Sequence, residues 1–132
     1  MSSTATEAMT ADGYPVMLDL RGRRCVVIGA GATAVSEIRR LVAAGATVEV
    51  VAPSVHPDIL ELDGPVFLRR RRYRPWDLGG AHLVIACTGD PTVDARVAAE
   101  AHERRIWVQA QSDPATGSFR HAFEALQPSL RS

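Results

Sequence analysis

The sequence predicts an α/β fold, a single domain built on a doubly wound parallel sheet with helices on both faces. Three observations point there. The stretch "CVVIGAGATAV" (residues 25–35) runs from an apolar strand through a glycine turn into a helix. The β-branched "TVEVVAP" follows at the distance that completes a β-α-β unit. Further on, "HLVIACTG" is a nearly continuous apolar run, as a parallel strand covered on both faces requires.

Each element has a local reason. Leu18 and Leu20 flank Asp19 in a short lead-in, and Gly22 turns the chain into a first strand over about Arg24 to Gly29. From Ala32 to Ala44 the apolar residues Val35, Ile38, Leu41 and Val42 keep helical spacing, and Gly45 stands where a helix C-terminus favours it. The second strand covers Thr47 to Pro53, where proline stops it. A weak helix is expected over Ser54 to Leu62, and a third strand over "PVFLRRRRY" with its polar end toward solvent. "PWDLGG" reads as a turn-rich link to the strand His82 to Gly89. Asp90 then serves as N-cap and Pro91 as first helical residue of a helix through about Glu103, with Val93, Val97, Ala98 and Ala101 inward. "RIWVQAQ" is the fifth strand and "GSFRHAF" a last extended piece.

In such a Rossmann-like sheet, right-handed crossovers put the glycine turn at the carboxyl edge, near the point where strand order reverses, and ligands bind there. Gly29 allows the tight turn, and Gly31 lets backbone N–H groups of the turn and of Ala30, Ala32 and Thr33 approach a pyrophosphate at the positive end of the helix. Ala34 at the third position of the motif needs only close packing of helix on strand. The pattern therefore predicts dinucleotide binding. The acid that would bond the adenosine ribose belongs at the end of the second strand, where Ala52, Pro53 and Ser54 stand instead. Glu49, about twenty residues past the turn, sits mid-strand and reads equally well as a charge on the sheet edge. The choice between NAD and NADP stays open at this point.

Composition narrows the function. The 132 residues suffice for one domain, and a formal net charge of zero gives no global pull toward nucleic acid or a membrane. All 15 basic residues are arginine, which excludes lysine Schiff bases and a P-loop lysine. Cys25 and Cys87 lie inside apolar runs and read as buried small hydrophobes, and no metal site is expected. Residues 1–13 lack the features of a secretory signal and read as a flexible tail, residues 14–123 as the nucleotide-binding domain and residues 124–132 as a C-terminal tail of a cytoplasmic protein.

Several segments together resemble the NAD-dependent precorrin-2 dehydrogenases of siroheme synthesis, including the N-terminal module of siroheme synthase: "YPVMLDLRGRRCVVIGAGATAVSEIRRLVAAGATVEVVAP", "LRRRRYRPWDLGGAHLVIACTGDPTVDARVAAEAHERRI" and "DPATGSF". The resemblance covers about Tyr14 to Phe119. It implies oxidation of precorrin-2, a tetrapyrrole, to sirohydrochlorin with hydride passed to NAD. It assigns Gly29, Gly31 and Ala34 to the pyrophosphate, Ala52 and Pro53 to the border of the adenosine, and Thr88 and Gly89 to the cofactor groove. Two departures stand out. The fifth strand of the family usually ends in "N-V-x-D-[DA]-P", whose aspartate is the favoured acid or base, whereas "QAQSDP" here puts Ser112 in that place, with Asp113, adjacent and keeping its spacing to Pro114, as the other catalytic candidate although neighbours on extended chain point to opposite sides. A serine has no ionised form near neutral pH to serve as a base unaided. The family also continues into helices that make a dimer and close the tetrapyrrole cleft, so a homodimer or a partner chain is expected. A dinucleotide-binding module without catalysis is the alternative.

Other residues are weighed the same way. The "RRRRYR" run (Arg69 to Arg74) suits a many-carboxylate tetrapyrrole, a nucleic-acid backbone or a solvated edge strand. His121 is a candidate proton carrier or an ordinary surface residue. Trp76 and Trp107 are expected to be packing residues.

Overall fold

The computed structural model describes residues 13–121. Among them the chain forms strands β1 (Arg24–Ile28), β2 (Thr47–Val51), β3 (Val66–Arg69), β4 (Leu83–Ala86) and β5 (Trp107–Ala110), with helices α1 (Ala32–Ala43), α2 (Pro57–Leu60) and α3 (Pro91–Glu103). Every strand pair is parallel, and the order β3-β2-β1-β4-β5 reverses direction between β1 and β4. The doubly wound α/β sheet predicted from the sequence is present, with the glycine turn at its switch point.

Burial explains the continuous apolar runs. Along β1 successive side chains point to opposite faces, so Val26 and Ile28 join a cluster with Val84, Ala86, Val97 and Ala101. The intervening Cys25 and Val27 are equally buried, and on α1 so are Ala34, Ile38 and Leu41. Burying one such Val, Ile or Leu contributes about 1.5–3 kcal/mol, more than a typical N-cap at about 1 kcal/mol. Packing on the sheet is therefore what holds α1, which has no side-chain cap.

Several boundaries differ from expectation. The third strand ends at Arg69 rather than Tyr73, because the Arg71 N–H folds back onto the Arg69 carbonyl at 2.9 Å in a three-residue turn. The weak helix shrinks to Pro57–Leu60, capped by His56. "PWDLGG" contains a 3₁₀ turn, Pro75–Leu78, which takes the place of a crossover helix between β3 and β4. Gly117 to His121 forms no strand; instead Ser118 donates from its N–H to the Val108 carbonyl at 2.7 Å and accepts from the Val108 N–H at 2.9 Å through Oγ. Trp76 and Trp107 are not interior residues, being 68% and 49% exposed. Trp76 sits on the 3₁₀ turn with the Arg74 guanidinium 6.0 Å over its ring, and Trp107 opens an edge strand.

The main compact unit runs from Asp19 to Ser118. A second, smaller unit contributes residues 13–18 and 119–121 to the described chain; in it Tyr14, Val16 and Met17 are exposed and the His121 ring stands edge-on to Phe119 at 6.5 Å. The expected tails over 1–13 and 124–132, apart from Gly13, lie outside the described residues, as does the end of the expected domain at 123. No helix among the described residues is long and apolar enough to cross a membrane.

Candidate functional site

The two glycines of the turn do different things. Gly29 holds φ +112°, and a Cβ there would lie 2.4 Å from the Cys87 carbonyl oxygen, so β1 and the loop after β4 meet through a residue that must be glycine. Gly31 is the N-cap of α1 with ordinary extended geometry, and a Cβ built on it meets no heavy atom within 4 Å. The first turn of α1 has no side-chain cap and no acidic residue, which leaves the N–H groups around Ala32 and Thr33 without a side-chain acceptor. Ala34 is fully buried against the sheet, the packing role read from the motif.

The turn opens on a cleft of about 930 Å³ at the carboxyl edge. It is lined by Ile28–Gly31 from the turn, Val51–Pro57 after β2, Arg72–Arg74 after β3, and Thr88, Asp90, Val93 and Arg96 after β4. Of the residues predicted to hold a cofactor, Gly29, Ala30, Gly31, Ala52, Pro53, Ser54 and Thr88 meet on this one surface. Ala32, Thr33 and Ala34 lie on α1 just behind it, and Gly89 is exposed at the next loop position outside the lining. The cleft fits a dinucleotide on its own geometry: a helix N-terminus without a cap, an open position beside Gly31, and a volume within the range of about 300–1,000 Å³ usual for ligand sites.

Ser112 and Asp113 do not line the cleft. The Asp113 carboxylate accepts from the Ala115 N–H at 3.3 Å and so caps a 3₁₀ turn. The Ser112 hydroxyl donates to Oδ2 of Asp94, a residue only 1% exposed. The other oxygen, Oδ1, accepts from the Thr88 N–H at 3.0 Å and the Thr88 hydroxyl at 2.6 Å. Asp94 thus joins the end of β4 to the end of β5 through a carboxylate with three donors, the condition under which burying such a group is tolerable. Sequence reasoning passed it over. The signal was there, because Asp94 shares a helical stripe with Val97, Ala98 and Ala101, and an acid on an inward stripe must find partners. Glu37 is a parallel case on α1, 5% exposed and accepting from the Gln111 amide at 3.0 Å.

The remaining charges sort themselves. Glu49 bonds Arg24 at 2.5 Å and Arg69 at 3.3 Å, which commits it to the sheet and away from any ribose. Arg71 holds Asp77 in a two-pronged pair. Burial pushes the Cys25 thiol up to about 11 and the Cys87 thiol up to about 12, the latter helped by Asp94 and Glu37, so both are inert at neutral pH. Among the described residues no group of three or more His, Cys, Asp or Glu is placed to hold a metal ion.

Comparison with known proteins agrees with this geometry. Residues 16–122 match the sequence model of an NAD(P)-binding family. Siroheme synthase from Chromobacterium violaceum is 39% identical over 102 residues, and that from Ectopseudomonas mendocina 41% over 101, each covering 76% of this chain. This chain spans 22% of the length of either enzyme. The solved structure of SirC, a precorrin-2 dehydrogenase, superposes with a TM-score of 0.69 at 30% identity, covering 82% of this chain and 54% of that one. Turn, cleft and kinship lead to one conclusion: the chain belongs to the NAD(P)-binding family, with a Rossmann-like parallel sheet.

Proposed function

We propose that this domain oxidises precorrin-2 to sirohydrochlorin in siroheme synthesis. The observation that carries the reading is the uncapped N-terminus of α1 at Gly31, opening on a cleft at the switch point of the sheet, in a chain whose relatives are named for this chemistry. Bound NAD supplies the hydride acceptor. The chain's own residues do the rest: Gly29, Gly31 and the N–H groups after them hold the pyrophosphate, Ala52, Pro53 and Ser54 border the adenosine, and Thr88 and Gly89 line the groove. Loss of hydride leaves a proton to be taken up from the substrate. Ser112, which follows β5 at the same carboxyl edge of the sheet although it does not line the cleft, takes it at Oγ while handing its own hydroxyl proton to Oδ2 of Asp94, so that the carboxylate ends as a carboxylic acid and the serine is unchanged. Asp94 supplies the charge that a serine lacks. Self-association, for which the exposed Tyr14, Val16 and Met17 offer apolar surface, and a cytoplasmic location belong to the same reading.

A second reading, a dinucleotide-binding module without catalysis, is favoured by the position of Ser112 and Asp113 outside the cleft lining. Anaerobic incubation with precorrin-2 and NAD, followed by spectra for sirohydrochlorin, separates the two. Multiple turnovers are expected, and Asp94→Asn should slow them by about a hundredfold or more. NAD binding without any sirohydrochlorin supports the module.

A further inference from the structure

Apart from the exposed Arg70, which does not line the cleft, the arginine run resolves into two sets. Arg69 and Arg71 are committed to Glu49 and Asp77. Arg72 and Arg74 line the cleft, and among the described residues neither makes an ion pair. Their place in the cleft follows from the sheet. β2 and β3 are parallel neighbours with Val51 opposite Arg69, and the Ala52 N–H donates to the Arg69 carbonyl at 3.1 Å. The segments leaving these two strands therefore emerge side by side: Pro53 and Ser54 from one, Arg72 to Arg74 from the other.

We infer that Arg72 and Arg74 form a subsite for the 2′-phosphate of an adenosine, so that this domain takes NADP as well as NAD. The inference rests on the dinucleotide reading of the cleft. In a Rossmann sheet the ribose of the adenosine lies at the end of the second strand, where an acid bonds the 2′-hydroxyl and repels a phosphate, or an arginine receives the phosphate. Here the strand ends in Ala52, Pro53 and Ser54, and Glu49 is held by two arginines inside the sheet. The other ionisable groups of the lining are Arg96; Tyr73, whose hydroxyl donates to Glu100; His56, which caps α2 by accepting from the Asp58 N–H at 3.1 Å; and Asp90, which caps α3 at the opposite, β4 side. No carboxylate of the lining thus belongs to the β2–β3 side, where Arg72 and Arg74 line the cleft, the Arg74 guanidinium lying over the Trp76 ring. A planar guanidinium matches a phosphate through paired N–H donors, and charge assistance strengthens each bond.

Calorimetry on the full chain tests this with four probes: NAD, NADP, adenosine 5′-monophosphate and adenosine 2′,5′-bisphosphate. NADP should bind at least as tightly as NAD, and the bisphosphate at least about tenfold more tightly than the monophosphate. Arg72→Ala, which removes an exposed side chain without internal bonds, should weaken both 2′-phosphorylated ligands by about tenfold or more and leave NAD within about twofold. Arg72→Lys should recover part of the loss. Binding of NAD with exclusion of NADP overturns the subsite while leaving the dinucleotide reading intact. Equal loss of NAD and NADP in Arg72→Ala assigns the arginine to the pyrophosphate and also overturns it. Failure of all four probes to bind overturns the subsite and the dinucleotide reading together.

Discussion

Two helices of this domain begin at the same edge of the sheet, α1 after β1 and α3 after β4, yet their first turns are built in opposite ways. α3 is closed by its own side chains: Asp90 accepts from the Thr92 N–H at 2.9 Å, Pro91 occupies the first position and needs no acceptor, and Asp94 adds an acid to the first turn. α1 starts at Gly31 with no side-chain cap and no acid. The difference separates structure from function along one edge. A helix end that satisfies itself contributes stability and offers nothing to a ligand, while an end left bare, held in place by packing on the sheet, offers its N–H groups and its positive potential to an anion.

The comparison can be broken most severely at Gly29, on which the meeting of the two loops depends. Gly29→Ala would set a Cβ against the Cys87 carbonyl in a left-handed backbone conformation, and strain of about 1–3 kcal/mol with overpacking of about 1–3 kcal/mol should lower the unfolding free energy by about 2–5 kcal/mol. Urea denaturation measures it, and a loss below about 1 kcal/mol would contradict the close approach of the two segments. Gly31→Val acts on the ligand instead. Its backbone suits any residue and its surroundings are open, so the urea midpoint should hold while NAD affinity falls by about tenfold to a hundredfold, the equivalent of about 1–3 kcal/mol. Unchanged affinity by calorimetry would move the pyrophosphate elsewhere.

The capped helix should respond the other way round. Asp90→Ala removes a cap and should cost about 1 kcal/mol of stability, with NAD affinity nearly unchanged; a large loss of binding with intact stability would erase the distinction between the two helix ends. The smallest effect concerns Cys87, which lies between them. Burial raises the Cys25 and Cys87 thiols from 9.0 to about 11 and about 12, so the folded state holds these protons more tightly than the unfolded chain. Their contribution is fully present below pH 9 and is lost as pH rises through 9 toward 11 and 12. Thermal melts between pH 8 and 11 should therefore fall less steeply for Cys25→Ala/Cys87→Ala than for the parent, and parallel slopes would show that the thiols are accessible to solvent.

What could be read from the sequence was whatever rests on neighbours along the chain. Gly29 and Gly31 announce a turn, Asp90–Pro91 a helix start, and the apolar runs a doubly covered sheet, because each signal is complete within a few residues. Asp94 could not be paired in advance, since Ser112 is reached only once β5 lies beside β4. The arginine run misled for the same reason. Charge alone gives no sign that Arg71 turns back on Arg69, or that Arg69 and Arg71 are matched to Glu49 and Asp77 while Arg72 and Arg74 face the cleft. The two tryptophans show a further limit: size argues for burial, but an edge strand and a surface turn leave large rings half in water.

The contact between Ser118 and Val108 has a consequence for how this sheet can grow. β5 is an outer strand, and an outer strand normally presents unpaired N–H and C=O groups to which another chain can add by continuing the ladder. At Val108 both groups are already taken, one by the Ser118 backbone and one by its hydroxyl. The chain that follows β5 thus acts as a false next strand, one residue wide, placed at the middle of a four-residue edge. A second copy cannot continue the ladder through Val108, so an assembly formed at this point of the edge must be made through side chains, and such an interface is chosen by shape and charge rather than by the indiscriminate grammar of the backbone.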